Sequence, residues 1–246
     1  MNRAQLVKMA REDYLDDVND AADPEPLYRW STRFLIRSLG EAERVACRSG
    51  SCRLIYDETT DETCTITLVA GTQSYAISPK VTRIERIMYD GDVLERVTPQ
   101  DLDERVTGWR DYDAGPPGCC YVIGRMLYLD RAPSSSEADD KITLHVWREP
   151  LAPPLDNEEP EIPSVYHEDL IHYMVYRAKL KRGEETYDPD GAKMALAQFQ
   201  SRFGQENSVD VLERRLESPG FLQHHMGSTA YADLYRKKMT DWLRDL

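Results

Sequence analysis

The sequence predicts an α+β protein: an α-helical bundle carrying an inserted antiparallel β domain, with a C-terminal helical arm. Three observations lead there. Apolar residues recur at helical spacing in the first fifty residues and again from about residue 164 to 203. Between these stretches, from Cys52 to about Pro150, the period falls to two. A separate amphipathic stripe then closes the chain after a stretch of no periodicity. The expected division is 1–50 and 160–207 as one discontinuous helical bundle, 51–159 as the inserted β domain with an acidic, Pro-rich connector, and 208–246 as a C-terminal extension.

The first fifty residues read as two helices. Val7, Ala10, Tyr14 and Val18 fall at the spacing of one buried face, and the acidic run from Glu12 to Asp23 mostly takes the other side. "DPEP" breaks this helix, and Pro26 suits the first position of the next. There Trp30, Phe34, Leu35, Leu39, Ala42 and Ala46 form a wide core stripe, ended by "RSGS".

In the middle, "TCTITLVAGTQSYAI" alternates Ile66 and Leu68 against Thr65 and Thr67, with "GT" placed as a hairpin turn. "ITLHVW" repeats the alternation with Ile142, Leu144 and Val146. A further hairpin is expected around Asp90-Gly91, and "CCYVIGRMLYLD" reads as one more strand or a pair turning near Gly124-Arg125. "QDLDERVTGWRDYDAGPPG" has little periodicity and reads as a long loop, with Trp109 anchoring it onto the sheet.

The acidic, Pro-rich "EPLAPPLDNEEPEIP" leads back to helix. Ser164 is a candidate N-cap, with Glu168 and Asp169 in the first turn at the positive end of the helix dipole. Asp188-Pro189 starts the next helix, where Ala192, Leu196, Phe199 and Phe203 share a face. Beyond Gly204, "ESPGFLQHHMGST" has no regular pattern. "AYADLYRKKMTDWLRDL" then sets Tyr231, Leu234, Tyr235, Met239 and Trp242 on one helical stripe, to fold back on its own bundle or to dock on another subunit.

Composition narrows the function. A net charge of −13 argues against a general nucleic-acid clamp, because affinity for phosphate comes mostly from Lys and Arg. No apolar run approaches the roughly 20 residues of a membrane span, and the acidic N-terminal stretch is unlike a cleaved leader. Cys47, Cys52, Cys64, Cys119 and Cys120 are odd in number, without a C-x-x-C pair, and read as reduced thiols of a cytoplasmic protein.

The search for chemistry returns one near-miss. "HEDLIH" begins like the zinc-peptidase motif H-E-x-x-H, but Ile171 holds the fourth position and His172 comes fifth, about 140° around a helix from His167. One ion does not reach both. The wheel puts His167 beside Met174 and Ala178 on the apolar side, and His172 with Glu168 and Lys179 in solvent. Phosphate-cradle and nucleophile-elbow motifs are missing. The acidic pairs Asp16-Asp17, Asp139-Asp140 and Glu158-Glu159 read as surface charge, and "YDPDG" lacks the oxygens of a calcium loop. We therefore expect no enzyme, no metal and no cofactor.

From roughly Thr65 to Phe203 the order of parts resembles the head-to-tail adaptor (connector) proteins of tailed bacteriophages. The resemblance rests on "AGTQSYAI" leading into a first strand, "GW" followed by a Gly-Pro turn, "MLYLDRAP", a strand ending in "REPL", and "EIPSVYHEDLIHY" opening the return helix. It implies a structural virion protein at the head-tail interface, assembled in the host cytoplasm. It further implies a dodecameric homo-oligomeric ring between the portal protein and a tail tube or nozzle protein, with genomic DNA passing through the channel without specific binding and no membrane involved. His167 would then serve packing, and the stripe Tyr231, Leu234, Tyr235, Met239 and Trp242 would meet the portal. A second reading, a carbohydrate- or receptor-binding virion protein acting through the β domain, rests on Trp109 and Tyr112 being exposed in the long loop.

Overall fold

The computed structural model describes residues 1–17, 28–105, 108–151, 157–181 and 186–217. In chain order the elements are α1 (Arg3–Met9), continued by a π-helical stretch (Ala10–Leu15), α2 (Thr32–Arg48), β1 (Ile55–Asp57), α3 (Asp61–Cys64), β2 (Thr65–Thr67), β3 (Ser74–Ala76), β4 (Val81–Tyr89), β5 (Asp92–Val93) and β6 (Glu95–Arg96). They continue with α4 (Pro99–Arg105), β7 (Cys119–Ile123), β8 (Met126–Leu129), β9 (Lys141–Arg148), α5 (Leu170–Lys179), α6 (Pro189–Phe203) and α7 (Val209–Glu217). The fold is α+β, as the change of period predicts. Two compact units divide it: one takes Met1–Thr63, Ser78–Arg83 and Val146–Leu212, the other Cys64–Ile77, Ile84–His145 and, among the described residues, 213–217.

In the first unit α5 packs against both α2 and α6, and α1 with its π-helical continuation packs on α2 and α5. The core is built from Leu6, Leu35, Leu39, Ala42, Leu170, Met174 and Phe199, with Phe199 set between the rings of Tyr173 and Phe203. Apolar burial of this kind is the main stabilising term, about 1.5–3 kcal/mol for each large side chain.

Helix ends follow local chemistry, with corrections to what periodicity predicts. The α1 face holds through Val7 and Ala10, but Tyr14 is exposed while Arg11 and Leu15 are buried. The wider π turn after Ala10 rotates later residues off the 3.6-residue wheel. Val18 and Pro26 lie outside the described residues. α2 starts at Thr32, where the Ser31 hydroxyl accepts from Phe34 N–H at 3.3 Å. Trp30 precedes the helix yet is buried, its indole N–H donating to the Ala178 carbonyl at 3.1 Å.

The return helix also begins later than Ser164 suggests. Ser164–Tyr166 form a 3-10 turn, and α5 follows only at Leu170 with no side-chain cap. Asp188 and Pro189 do start α6, the Asp188 carboxylate accepting from Gly191 N–H at 2.9 Å.

Several charges are buried in this unit. Arg3 Nη2 donates to both Glu43 carboxylate oxygens, at 2.9 and 3.1 Å, each side chain 1% exposed. Burial pushes the Glu43 carboxyl up, against the lowering pull of Arg3. Arg148, at the end of β9, pairs with Asp57 of β1 and Glu161 while also donating to the Glu149 carbonyl. Arg48 pairs with Glu149.

The strands form two sheets. One has the order β1-β9-β4-β5, with β2 also on β9; the other runs β3-β8-β7-β6. On β9, Ile142, Leu144 and Val146 are fully buried, as their alternation predicts. The hairpin expected around Asp90-Gly91 is present, and of the two readings of "CCYVIGRMLYLD" the strand pair is the one that forms. Met88 pairs with Val93 and Tyr89 with Asp92 around Asp90 and Gly91, which both take positive φ, the type I′ pattern. Ile123 pairs with Met126 around Gly124-Arg125.

The "GT" stretch makes no hairpin: β2 joins β9 in one sheet and β3 joins β8 in the other. The β domain is also not wholly antiparallel. β6 and β7 run parallel, Glu95 opposite Cys119, and a parallel pair requires a long crossover. The "QDLDERVTGWRDYDAGPPG" stretch is that crossover. It holds α4 and a 3-10 turn at Trp109–Asp111 where only loop is expected. Thr98 and Asp101 cap α4 reciprocally, each side chain accepting the other's N–H, at 3.0 and 3.1 Å.

Candidate functional site

The stripe expected to meet a partner, Tyr231, Leu234, Tyr235, Met239 and Trp242, lies outside the described residues. The structure does describe the helix that leads to it. α7 escapes notice in the sequence, although Val209, Leu212 and Leu216 fall at i, i+3 and i+7 behind Ser208, which accepts from Val211 N–H. Leu212 and Leu216 are buried.

The last turn of α7 is held by strand residues of the second unit. Arg96 of β6, itself buried, donates to the Leu216 carbonyl and, at 3.3 Å, to the Ile84 carbonyl. Terminal helix carbonyls have no partner within the helix and carry the negative end of the dipole, so a guanidinium suits them. Gly124 N–H, at the β7–β8 turn, donates to the Glu217 carboxylate at 2.8 Å. The chain thus leaves α7 from a fixed point on the β structure.

Trp109 anchors the crossover as expected. It is 6% exposed, sits edge-on to Tyr121 and donates its indole N–H to Asp103 at 2.8 Å. Tyr112 is half-buried against the same cluster, under the Arg131 guanidinium. These aromatics are engaged internally, which removes the observation behind carbohydrate binding.

His167 is buried, as its apolar neighbours predict, with Nε2 2.9 Å from the Ile162 carbonyl and Nδ1 3.4 Å from the Met1 amine. A carbonyl accepts only from N–H, so Nε2 carries the proton and Nδ1 is the acceptor. Both nitrogens are spent. His172 is not solvated as expected: it lies edge-on to Tyr14 at 5.5 Å, its Nδ1 is buried without a hydrogen bond, and burial lowers its pKa. Among the described residues no group of His, Cys, Asp and Glu is placed to hold a metal. Protein purified without added metal is expected to carry no stoichiometric zinc by elemental analysis. His167→Ala should lower stability by about 1–3 kcal/mol through the lost buried hydrogen bonds, without releasing metal.

Of the acidic pairs, Asp139-Asp140 and Glu158-Glu159 are exposed. Asp17 differs: it is buried, bound to Arg11 and accepting from Arg29 N–H at 2.7 Å. All five cysteines are buried and free, and burial pushes the Cys120 thiol up to about 12. No described helix is long and apolar enough to cross a membrane.

What decides the identity is a family match. The SU10 adaptor protein family model covers residues 1–220. This chain belongs to the SU10 adaptor protein family. It is a phage adaptor, a structural protein of the virion, and the resemblance read between Thr65 and Phe203 extends through both units. A search of the curated proteins finds no match. The family match ends just beyond α7 of the adaptor, before the Tyr231–Trp242 stripe.

Proposed function

We propose that this adaptor forms a dodecameric ring between portal and tail, lines part of the DNA channel, and joins the portal through its C-terminal arm. The family match over residues 1–220 carries the reading. Supporting it, the last turn of α7 is fixed by Arg96 and Gly124, which gives the following segment a defined departure point. On this reading the β domain is inserted in the bundle, with "EIPSVYHEDLIHY" re-entering it, and the arm presents Tyr231, Leu234, Tyr235, Met239 and Trp242. Aromatic anchors of this composition are typical of interface hot spots. A tail tube or nozzle protein occupies the other face of the ring.

An acidic wall keeps transiting DNA mobile by repulsion. The purified adaptor is therefore expected to cause no shift of duplex DNA in a gel at physiological salt, even at micromolar protein; a retarded band would contradict this. Mixing the adaptor with portal and imaging the product tests the proposal as a whole.

A further inference from the structure

α2 carries a stripe whose chemistry is opposite to that of the chain. Only Thr32, Arg33, Arg37 and Arg44 of its residues are exposed. At 100° per residue the three arginines fall within a 40° arc, so the solvent edge of the helix is wholly guanidinium. None has an ion-pair partner among the described residues; Arg37 lies over the Phe34 ring at 5.8 Å, and Glu41, four residues after Arg37 and three before Arg44, is taken by Arg177 and Tyr173.

These placements work against the isolated helix. Arg33 and Arg37 are like charges at i,i+4, and Arg33 sits in the first turn, at the positive end of the dipole. Such a stripe, in a chain of net charge −13, fits a surface that meets carboxylates elsewhere. Arginine rather than lysine suits that task, because its planar fork binds carboxylates bidentately.

The same unit presents the complement. On the π-helical end of the first helix Glu12, Asp13 and Asp16 are exposed around the exposed ring of Tyr14. Two different, oppositely charged patches on one subunit are what a heterologous contact joins, and repeated heterologous contacts close a ring. Duplex DNA is the less favoured occupant, since three arginines face the repulsion of a strongly acidic chain.

We infer that adaptor subunits join head-to-tail by docking the Arg33–Arg37–Arg44 stripe of one copy onto the Glu12–Asp13–Asp16 face of the next. The inference rests on the ring reading and names its contact faces. Full-length protein is compared with two variants by sedimentation velocity over a concentration series at low ionic strength. One carries Arg33→Glu, Arg37→Glu and Arg44→Glu. The other carries Glu12→Lys, Asp13→Lys and Asp16→Asn, asparagine being chosen because residue 16 has φ +48°. Circular dichroism confirms folding, with Arg→Gln and Asp/Glu→Asn/Gln versions replacing any variant that fails.

The expected result is weak, salt-suppressed association of the natural chain, lost in each variant alone and, for the charge-reversed pair, restored when the two are mixed. Association that survives either reversal alone, a natural chain whose mass never rises with concentration, or a DNA gel shift abolished by the arginine variant each overturns the inference. The ring reading fails separately. Dodecamers formed on portal by either singly reversed chain would keep the ring and sink these faces, whereas salt-sensitive association that never builds a ring would do the reverse.

Discussion

A chain ended after Ser218 is expected to remain folded and soluble by circular dichroism yet fail to enter portal-containing particles. The truncation keeps α7 and its contacts to Arg96 and Gly124, and both hydrophobic cores described above lie wholly before it. It removes Tyr231, Leu234, Tyr235, Met239 and Trp242. Burying a large apolar side chain contributes about 1.5–3 kcal/mol; even half of that from each of the five totals about 4 kcal/mol, roughly a thousandfold in Kd. Unfolding of the truncated chain would show instead that the stripe belongs to its own core.

Arg148→Ala is expected to be the most damaging single substitution in the first unit, costing about 3–5 kcal/mol. The guanidinium bridges Asp57 and Glu161 while donating to the Glu149 carbonyl, and only 11% of its side chain is exposed. Removing it leaves two carboxylates facing each other with little water. A small protein has only about 5–15 kcal/mol of stability, so the variant should show a large drop in urea midpoint or accumulate as insoluble protein. Arg148→Lys keeps the charge but loses the fork, and should fall between.

Acid should mimic the loss. Burial raises the Asp57 carboxyl, but the Thr59 amide, the Arg148 guanidinium and Thr60 outweigh it and hold its pKa well below the ordinary range. A depressed folded-state pKa contributes stability that is fully present above the unfolded value and fades as pH falls below it. Asp57→Asn should therefore be less stable than the natural chain at neutral pH, with the difference shrinking in acid.

Where burial alone sets the pattern, the sequence is legible. Ile142, Leu144 and Val146 alternate because one face of β9 is covered, and Phe199 and Phe203 recur because one side of α6 is. Turn chemistry is as plain: Asp90 and Gly91 in one turn and Gly124 in the other supply the positive φ that two-residue hairpins demand. Long-range pairing is another matter. Nothing in "TITLVAGTQSYAI" tells that its two halves join different sheets, since partners far along the chain decide it, Thr143 for Thr65 and Tyr128 for Ser74. The π turn after Ala10 leaves no mark in residue spacing, so the predicted face ran straight and misplaced Tyr14. Other signals lie in the sequence itself, the Thr98–Asp101 capping box of α4 and the Leu212–Leu216 spacing of α7 among them.

Of the functional surface, charge was readable as a total and not as a pattern. A net −13 hides the arginine edge of α2, which emerges only when the fold shows which α2 residues stay exposed. The clamp on α7 depends likewise on β6 lying beside Ile84 and Leu216, a consequence of topology.

Negative-stain imaging of the purified adaptor mixed with portal tests the central claim most directly. The account predicts dodecameric rings seated on one end of the portal, with only monomers or weakly associated chains when portal is left out. Portal particles that stay bare at saturating adaptor would contradict it.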